Sequence, residues 1–306
     1  MHPLVASAGM RTGVGMNAPV GLETGSVRRW FDRASTTYAS AAGLQRDVRM
    51  ELLARLDFFT LTPRVILDLG AGLGEATVAL RRRYRDALVI PVDLSAAMLR
   101  QGVGRRRLWR KSVAVCADVR KLPLANGTVD LAFSSLMLQW CDLPREAFAE
   151  ISRVLRPGGL LLASTFGPMT LQELRTAWAA VDSAPHVSHF PDLPDLASQL
   201  TAAGFEEPVL DIEQRPEHYA DALTLQRELQ ALGARNADRA RRRTLTGKSR
   251  WRAMTAQYEL LRTPAGLPAT WELIYMAAFA NGQSASGGRP AEALFPADSI
   301  LKRSRP

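Results

Sequence analysis

Glycines and carboxylates in the first half of the chain have the types and spacing of a nucleotide-like binding site. The apolar run Val65 to Leu69 contains Asp68, and glycines follow at alternate positions: Gly70, Gly72 and Gly74. Glycine lets the backbone approach a ligand closely, and the first N–H groups of a following helix point at it. A strand, a glycine turn and a helix start together predict a nucleotide cradle, although a glycine-rich turn that binds nothing would show the same pattern.

Two further carboxylates follow apolar runs later in the chain. Val89 to Val92 leads to Asp93, and Val113 to Ala117 leads to Asp118. An acid at the tip of the second strand of a doubly wound fold is placed to accept hydrogen bonds from both ribose hydroxyls. Asp93 could instead cap a helix that begins at Ser95. Because three acids at three successive strand tips are not expected by chance, the pattern favours a ribose-containing cofactor.

The spacing of the glycines distinguishes between cofactor classes. A dinucleotide fingerprint reads G-x-G-x-x-G, whereas residues 70–74 read G-A-G-L-G, with Asp68 two residues before them. This resembles motif I of the class I methyltransferases that use S-adenosylmethionine, a ligand with a cationic amino group and no pyrophosphate. The resemblance implies that the region of Asp118 contacts adenine. The residues predicted to bind the cofactor are Asp68, Gly70, Ala71, Gly72, Asp93, Leu94, Asp118, Val119 and Ser135.

Strands and helices alternate from Val65 to Thr165, and these elements must position the site. The predicted fold is α/β: a doubly wound, mostly parallel, seven-stranded sheet of the Rossmann-like class I methyltransferase type, with a helical insert at about residues 215–265 before the last strand. The later strands are predicted at Val129–Ser134, Leu160–Thr165, Val209–Glu213 and Thr270–Ala280. Between them, Thr170 and Glu173 predict a capping box for a helix over Leu171–Val181.

Composition and the ends of the chain limit the class of protein. The 306 residues are 47% hydrophobic, and no apolar run approaches the ~20 residues of a membrane span. Cys116 and Cys141 are the two cysteines and lack metal-type spacing, which favours a reducing cytoplasm over a disulfide framework or a zinc site. Residues 1–26 and 281–306 are predicted to be disordered, around a methyltransferase domain of residues 27–280. In that domain, the segment before the first strand is expected to cover the cofactor as a lid.

The net charge of +9 is concentrated in arginine clusters at residues 81–83, 105–111 and 239–243. Such clusters suit an acidic partner, either nucleic acid or an acidic protein, although solvated helix faces would look the same. The fourth predicted strand is followed by S-S-L-M-L-Q-W-C, with no N-P-P-Y or D-P-P-Y and no Pro-Cys nucleophile. This absence argues against methylation of nucleic acid bases.

Motifs in the second half of the chain are more specific. They read F-G-P-M-T-L-Q-E-L-R, A-W-A-A-V-D-S-A-P-H, R-E-L-Q-A-L-G-A-R-N-A and L-P-A-T-W-E-L-I-Y. Together with F-D-R-A-S-T-T-Y near the start, they resemble the malonyl-acyl carrier protein O-methyltransferases of biotin synthesis over about residues 27–280. A sister family, the complex I assembly factor linked to arginine hydroxylation, shares the F-G-P-M-T-L-Q-E-L-R and L-P-A-T-W-E-L-I-Y motifs. The A-W-A-A-V-D-S-A-P-H segment favours the biotin family.

The resemblance implies methylation of the free carboxylate of a malonyl group on acyl carrier protein. A carboxylate is already deprotonated at neutral pH, so no general base is required. Arg175 is the candidate to hold the carboxylate, with Tyr38 and His186 beside it as catalytic residues. Each has a simpler explanation: Arg175 could be a surface arginine, Tyr38 an aromatic that packs against a helix, and His186 a histidine that orders its loop. Gln139 and Trp140 are predicted to bind substrate. Arg239 and Arg241 to Arg243 are the candidates to dock the acidic carrier protein.

Overall fold

One seven-stranded sheet forms the centre of the protein, with strand order β3-β2-β1-β4-β5-β7-β6. The computed structural model describes residues 21–105, 114–242, 244 and 246–281. The strands are β1 (Val65–Leu69), β2 (Leu88–Asp93), β3 (Val115–Cys116), β4 (Val129–Ser135), β5 (Leu155–Phe166), β6 (Phe205–Tyr219) and β7 (Leu267–Ala280). Strands β1 to β5 pair in parallel, and β7 lies antiparallel between β5 and β6. This confirms the predicted doubly wound, mostly parallel fold.

Ten α-helices occur in the part of the chain that the structure describes. They are α1 (Thr24–Ala34), α2 (Tyr38–Ala41), α3 (Gly43–Ala54), α4 (Glu75–Arg83), α5 (Ala96–Arg105), α6 (Pro144–Val154), α7 (Gln172–Ala179), α8 (Leu193–Ala202), α9 (Ala222–Ala231) and α10 (Lys248–Glu259). Among these residues, no helix combines the length and the apolar character that crossing a bilayer requires.

The sheet has an apolar core on each face, because successive side chains of a strand point in opposite directions. In β1, Ile66 joins the core that contains residues of α3, α4, α7 and α10. Its neighbour Leu67 joins the other core, which contains residues of α6 and α8. Both side chains are fully buried, so the strand that leads into the glycine turn is fixed from both sides.

Several predicted boundaries differ from the structure. Order begins earlier than Val27, because α1 starts at Thr24 and the Glu23 N–H donates to the Ala237 carbonyl at 3.0 Å. The sixth strand extends from Phe205 to Tyr219, well beyond the predicted Val209–Glu213, so the helical part of the predicted insert begins only at α9. The long pairing of β6 with β7 holds this strand, and a local pattern does not reveal its partner.

The predicted capping box is wrong. Leu171 occupies the N-cap position of α7 in the left-handed region, with φ of 54°, and no side chain caps the helix. The Thr170 hydroxyl instead donates to the Glu272 carbonyl at 3.0 Å, and the Glu173 carboxylate accepts from the N–H and the hydroxyl of Thr270. The motif at 166–175 is therefore joined to the L-P-A-T-W-E motif of β7, which only the tertiary structure reveals.

Candidate functional site

The turn between β1 and α4 carries three glycines in the left-handed region. The φ angles of Gly70, Gly72 and Gly74 are 71°, 53° and 73°, where other residues are strained. A Cβ at Gly70 would lie 2.5 Å from Met137, whereas one at Gly72 would meet nothing nearer than the Gly70 carbonyl at 4.0 Å. The turn thus packs against the loop after β4 at one glycine and faces open space at another, which is the shape of a ligand cradle.

Asp93 ends β2 beside this turn. One carboxylate oxygen accepts from the Gly72 N–H at 2.8 Å and the other from the Ser95 N–H at 2.7 Å. Burial raises the pKa of Asp93 to about 6 and outweighs these two hydrogen bonds. The Ser95 hydroxyl caps α5 by accepting from the Met98 N–H, so Asp93 is not the cap and only supports the start of the helix through the Ser95 N–H. The assignment of Asp93 to the ribose stays a prediction.

Asp68 lies in β1 and is only 2% exposed. It accepts from the Thr77 hydroxyl at 2.5 Å. Burial raises the pKa of Asp68 to about 6, although the bonds from Thr77 act in the opposite direction. Arg49 lies close enough to lower this pKa but is the smallest of the influences on it and does not offset burial. A buried carboxylate that is not compensated is unfavourable, and a positively charged ligand would reduce that penalty.

Asp118 follows β3 at the edge of the same site. Its carboxylate is held by the Arg120 guanidinium, at 2.6 Å and 3.0 Å, and by the Arg120 N–H. The side-chain hydrogen bonds from Arg120 keep the pKa of Asp118 below its usual value. The residue is therefore ionised and fixed in orientation. Cys116, two residues earlier, is exposed, because β3 is the short edge strand.

Two adjoining clefts lie at this edge of the sheet. The first, of about 820 Å³ and partly open to solvent, lies over the strand tips, and the second, of about 420 Å³, lies beside the glycine turn. Every residue predicted to bind the cofactor lines one or both of them: Asp68, Gly70, Ala71, Gly72, Asp93, Leu94, Asp118, Val119 and Ser135. The predicted lid segment also lines the first cleft, through Thr24, Val27, Arg28 and Phe31 of α1.

The second cleft adds residues that the sequence interpretation missed. Arg49 and Glu75 line it and form an ion pair at 2.5 Å. Gln45 and Arg49 are one helical turn apart on α3, a spacing that places both on one face and that could have identified Arg49. The Gln45 Oε1 atom is buried and has no hydrogen-bond donor among the described residues. Tyr38 lines both clefts, and burial raises its pKa to about 12.

A third cleft, of about 560 Å³, lies next to the first. Trp140 lines both, and its ring meets Phe31 of α1 edge to face with centroids 5.2 Å apart. Gln139 also lines the third cleft and donates to the Leu136 carbonyl at 2.7 Å. The walls of the third cleft are mainly apolar and aromatic, including Phe166 and Trp271. A ligand in the third cleft would be separated from a ligand in the first cleft by the Trp140 side chain.

His186 and Arg175, two of the predicted catalytic residues, have different surroundings. His186 lines the third cleft, stacks on Trp178 with centroids 3.7 Å apart, and hydrogen-bonds to Asp182 at 2.8 Å. Arg175 lines none of the three clefts. Its guanidinium donates to the carbonyl oxygens of Pro168, Thr170 and Ser188, at 2.8, 3.2 and 3.3 Å. The structure thus places Arg175 behind the wall of the cleft, where it fixes the loop and does not face a ligand.

Comparison with known proteins identifies the family. A family profile described as "Methyltransferase domain" matches residues 67–163. A protein of Methylovorus sp. (strain MP688), named malonyl-[acyl-carrier protein] O-methyltransferase, is 44% identical over 260 residues, which cover 83% of this chain and 88% of that protein. The chain belongs to the malonyl-[acyl-carrier protein] O-methyltransferase family. The family predicted from the sequence motifs is confirmed.

Solved structures show the same fold at low sequence identity. The [4+2]-cyclase SpnF is 22% identical, with a TM-score of 0.57 over 86% of this chain and 98% of that chain. The phosphoethanolamine N-methyltransferase 2 of Haemonchus contortus, solved in complex with S-adenosyl-L-methionine, is 18% identical, with a TM-score of 0.50 over 84% of this chain and 60% of that chain. As a malonyl-[acyl-carrier protein] O-methyltransferase family member, the chain is an enzyme that depends on S-adenosylmethionine.

Proposed function

We propose that this member of the family transfers a methyl group from S-adenosylmethionine to the free carboxylate of malonyl-acyl carrier protein, and that the ester serves as a primer for biotin synthesis. The structural observation that supports the proposal most directly is the wall shared by two clefts. Trp140 borders both the first cleft, over the strand tips, and the third. A methyl donor in one and a carboxylate in the other would be neighbours.

The first two clefts fit the cofactor on chemical grounds. Asp93 has both oxygens held by main-chain N–H groups and keeps lone pairs for the ribose hydroxyls. Asp118 is oriented by Arg120 toward the part of the first cleft assigned to adenine. Asp68 would face the cationic amino group, and Arg49 the carboxylate of the methionine moiety. The unpartnered Gln45 oxygen accepts hydrogen bonds only and suits the same amino group.

The residues beside the reacting groups position the substrate. When bound, S-adenosylmethionine supplies a methyl group on a positively charged sulfur, which a carboxylate oxygen can accept. Tyr38 keeps its proton at neutral pH, since the ordinary tyrosine pKa of 10.0 is already high and burial raises it to about 12. It can therefore donate a hydrogen bond to a ligand but cannot act as a general base, which this reaction does not need. Trp140 and Phe31 shield the junction of the clefts from water.

The second function considered from sequence, an arginine hydroxylase related to the complex I assembly factor, is not favoured. The similar protein from Methylovorus is named as an O-methyltransferase. The contact between the 166–175 motif and β7 explains why both families share these two motifs. Thr170 and Glu173 bond to Glu272 and Thr270, so the motifs maintain the wall of the third cleft whatever reaction occurs there.

The carrier protein is the proposed partner of the basic surface. Arg239 pairs with Asp142, Arg241 with Glu23 and Arg242 with Asp182, while Arg243 and residues 106–111 lie outside the described residues. These ion pairs hold the basic segment of residues 239–242 against the rest of the protein, and Arg239 remains 57% exposed.

Both cysteines are free thiols, which supports the proposal of a reducing cytoplasm.

The decisive experiment incubates the purified enzyme with S-adenosylmethionine and malonyl-acyl carrier protein and follows the carrier by intact-mass spectrometry. We expect the malonyl carrier to gain the mass of one methyl group. Acetyl-acyl carrier protein, which has no free carboxylate, is the matched control and should remain unmodified. If neither carrier gains mass while S-adenosylhomocysteine binds normally, the proposed acceptor is wrong.

A further inference from the structure

Arg235 lines the third cleft, whereas Arg175, the residue predicted to hold the substrate carboxylate, does not. Arg235 lies in the turn after α9 and is exposed. Among the described lining residues of that cleft it is the only arginine or lysine. Its guanidinium forms no hydrogen bond or ion pair with another described residue. A free guanidinium at the rim of an otherwise apolar and aromatic cleft is available for an anionic ligand.

Three other arginines near the clefts are already engaged, and Arg28 lines only the first cleft. Arg49 pairs with Glu75 at 2.5 Å and Arg120 with Asp118 at 2.6 Å. Arg175 uses its guanidinium for three main-chain carbonyl oxygens. Arg235 both lines the third cleft and has a guanidinium with no partner among the described residues, so it can bind an anion there without giving up an existing interaction.

The backbone around Arg235 is fixed. Gly233 precedes it with φ of 72°, and a Cβ there would lie 3.1 Å from the Ala34 side chain. Asn236 follows it and donates to the Pro185 carbonyl at 2.6 Å, which ties the turn to the His186 loop. The Ala234 N–H donates to the Leu229 carbonyl at 2.8 Å. The side chain therefore projects from a rigid turn between the lid helix α1 and the opposite wall of the cleft.

We propose that Arg235 binds the substrate carboxylate and thereby selects malonyl over acetyl thioesters. This inference rests on the proposed function. A second feature of the cleft agrees with a ligand rich in oxygen acceptors: Trp271 lines it, and its buried indole N–H has no acceptor among the described residues. The Arg235 guanidinium remains charged at neutral pH and offers planar donors that match a carboxylate. Each carboxylate oxygen has two lone pairs, so a bound oxygen keeps one with which to accept the methyl group.

The test measures binding apart from turnover. Malonyl-pantetheine and acetyl-pantetheine are titrated calorimetrically into the enzyme saturated with S-adenosylhomocysteine, for the wild type, Arg235→Ala and Arg235→Lys. Arg227→Ala is the matched control, because Arg227 is an exposed arginine of α9 that lines none of the three clefts. We expect Arg235→Ala to weaken malonyl-pantetheine binding by about 10–100-fold, with acetyl-pantetheine unchanged. The lysine variant should recover part of the loss.

Methylation of malonyl-acyl carrier protein is measured on the same variants. If the wild type methylates the carrier and Arg235→Ala keeps the wild-type preference for malonyl-pantetheine, the role of Arg235 is wrong and the proposed function stands. A wild type that methylates no malonyl carrier overturns the proposed function itself. An equal loss of malonyl and acetyl binding in Arg235→Ala would also contradict the inference, since it would show a structural role of the turn.

Discussion

The carboxylate of Asp93 accepts a hydrogen bond from the main-chain N–H of Gly72 at 2.8 Å. The tip of β2 is thereby tied to the glycine turn that follows β1, so the two cofactor motifs form one rigid unit. The other oxygen of Asp93 is held by the Ser95 N–H. A carboxylate that is oriented before the ligand arrives loses less entropy on binding.

Replacing Asp93 by Ala should weaken S-adenosylmethionine binding by about 1–3 kcal/mol, because the ribose hydroxyls would lose their acceptor. Calorimetry on the purified variant measures the change, which corresponds to about 5–150-fold in Kd. The exposed Asp86 offers a control, since Asp86→Ala should bind the cofactor like the wild type. Equal affinities for the Asp93 variant and the control would exclude the ribose assignment.

Asp68→Asn should stabilise the cofactor-free protein at neutral pH while it weakens cofactor binding. The folded pKa of about 6 exceeds the ordinary 3.8, so the carboxyl's contribution to stability is present below about pH 4 and is lost as the pH rises through 6. Asparagine stays neutral and can still accept from Thr77. We expect a gain of about 1–3 kcal/mol at pH 7 that shrinks toward pH 4.

Chemical denaturation at several pH values, without ligand, measures this gain. Asp86→Asn is the matched control, because its side chain is exposed and should give no pH-dependent difference. If Asp68→Asn instead lowers the stability by the same amount at pH 7 and at pH 4, the charge of the Asp68 carboxylate is already compensated by the protein in the absence of ligand.

The positions of the three acids were predictable because parallel strands in this fold end at one edge of the sheet. Asp68, Asp93 and Asp118 needed only the apolar runs before them and the glycine spacing. Local pattern also identified Trp140 and Gln139, since they follow the fourth strand at that edge. All five line the clefts found in the structure.

The roles of residues in the second half depend on contacts far apart in sequence. Glu173 has the spacing of a capping box with Thr170, yet it bonds to Thr270, almost a hundred residues later. Arg175 was predicted to face the substrate because its helix follows β5. Its actual partners, such as the Ser188 carbonyl, belong to a loop whose path the sequence does not define. Arg235 lies within the R-E-L-Q-A-L-G-A-R-N-A motif, but nothing local in that motif shows that its turn reaches the third cleft.

Docking of an acidic carrier protein should make KM sensitive to salt. We expect KM for malonyl-acyl carrier protein to rise several-fold between 50 and 500 mM salt, roughly as screening of exposed charges requires, while KM for malonyl-pantetheine barely moves. Arg239→Gln should reduce this salt dependence because Arg239 is largely exposed. Arg82→Gln is the control, since Arg82 is exposed at the end of α4 remote from the glycine turn. If KM rises equally with salt for both substrates, the arginine clusters do not dock the carrier protein and are only solvated surface.

Arg175→Ala should lower activity because the loop that contains Ser188 loses its hydrogen bond, and not because the substrate carboxylate loses a cationic partner. The substitution leaves the carbonyl oxygens of Pro168, Thr170 and Ser188 without their donor, a loss of about 1–3 kcal/mol in stability. For a domain of this size that lowers Tm by roughly 2–10 °C. We expect kcat/KM to fall as the His186 loop loosens, while Kd for S-adenosylhomocysteine stays near the wild-type value.

The preference for malonyl-pantetheine over acetyl-pantetheine separates the two arginines. It should persist in Arg175→Ala, because that guanidinium contacts main-chain oxygens outside the cleft, and it should disappear in Arg235→Ala. Calorimetric titration of both thioesters into both variants, at a temperature where each is folded, provides the comparison. If Arg175→Ala loses the preference and keeps its Tm, then Arg175 leaves its carbonyl partners when substrate binds, and it is the residue that holds the carboxylate.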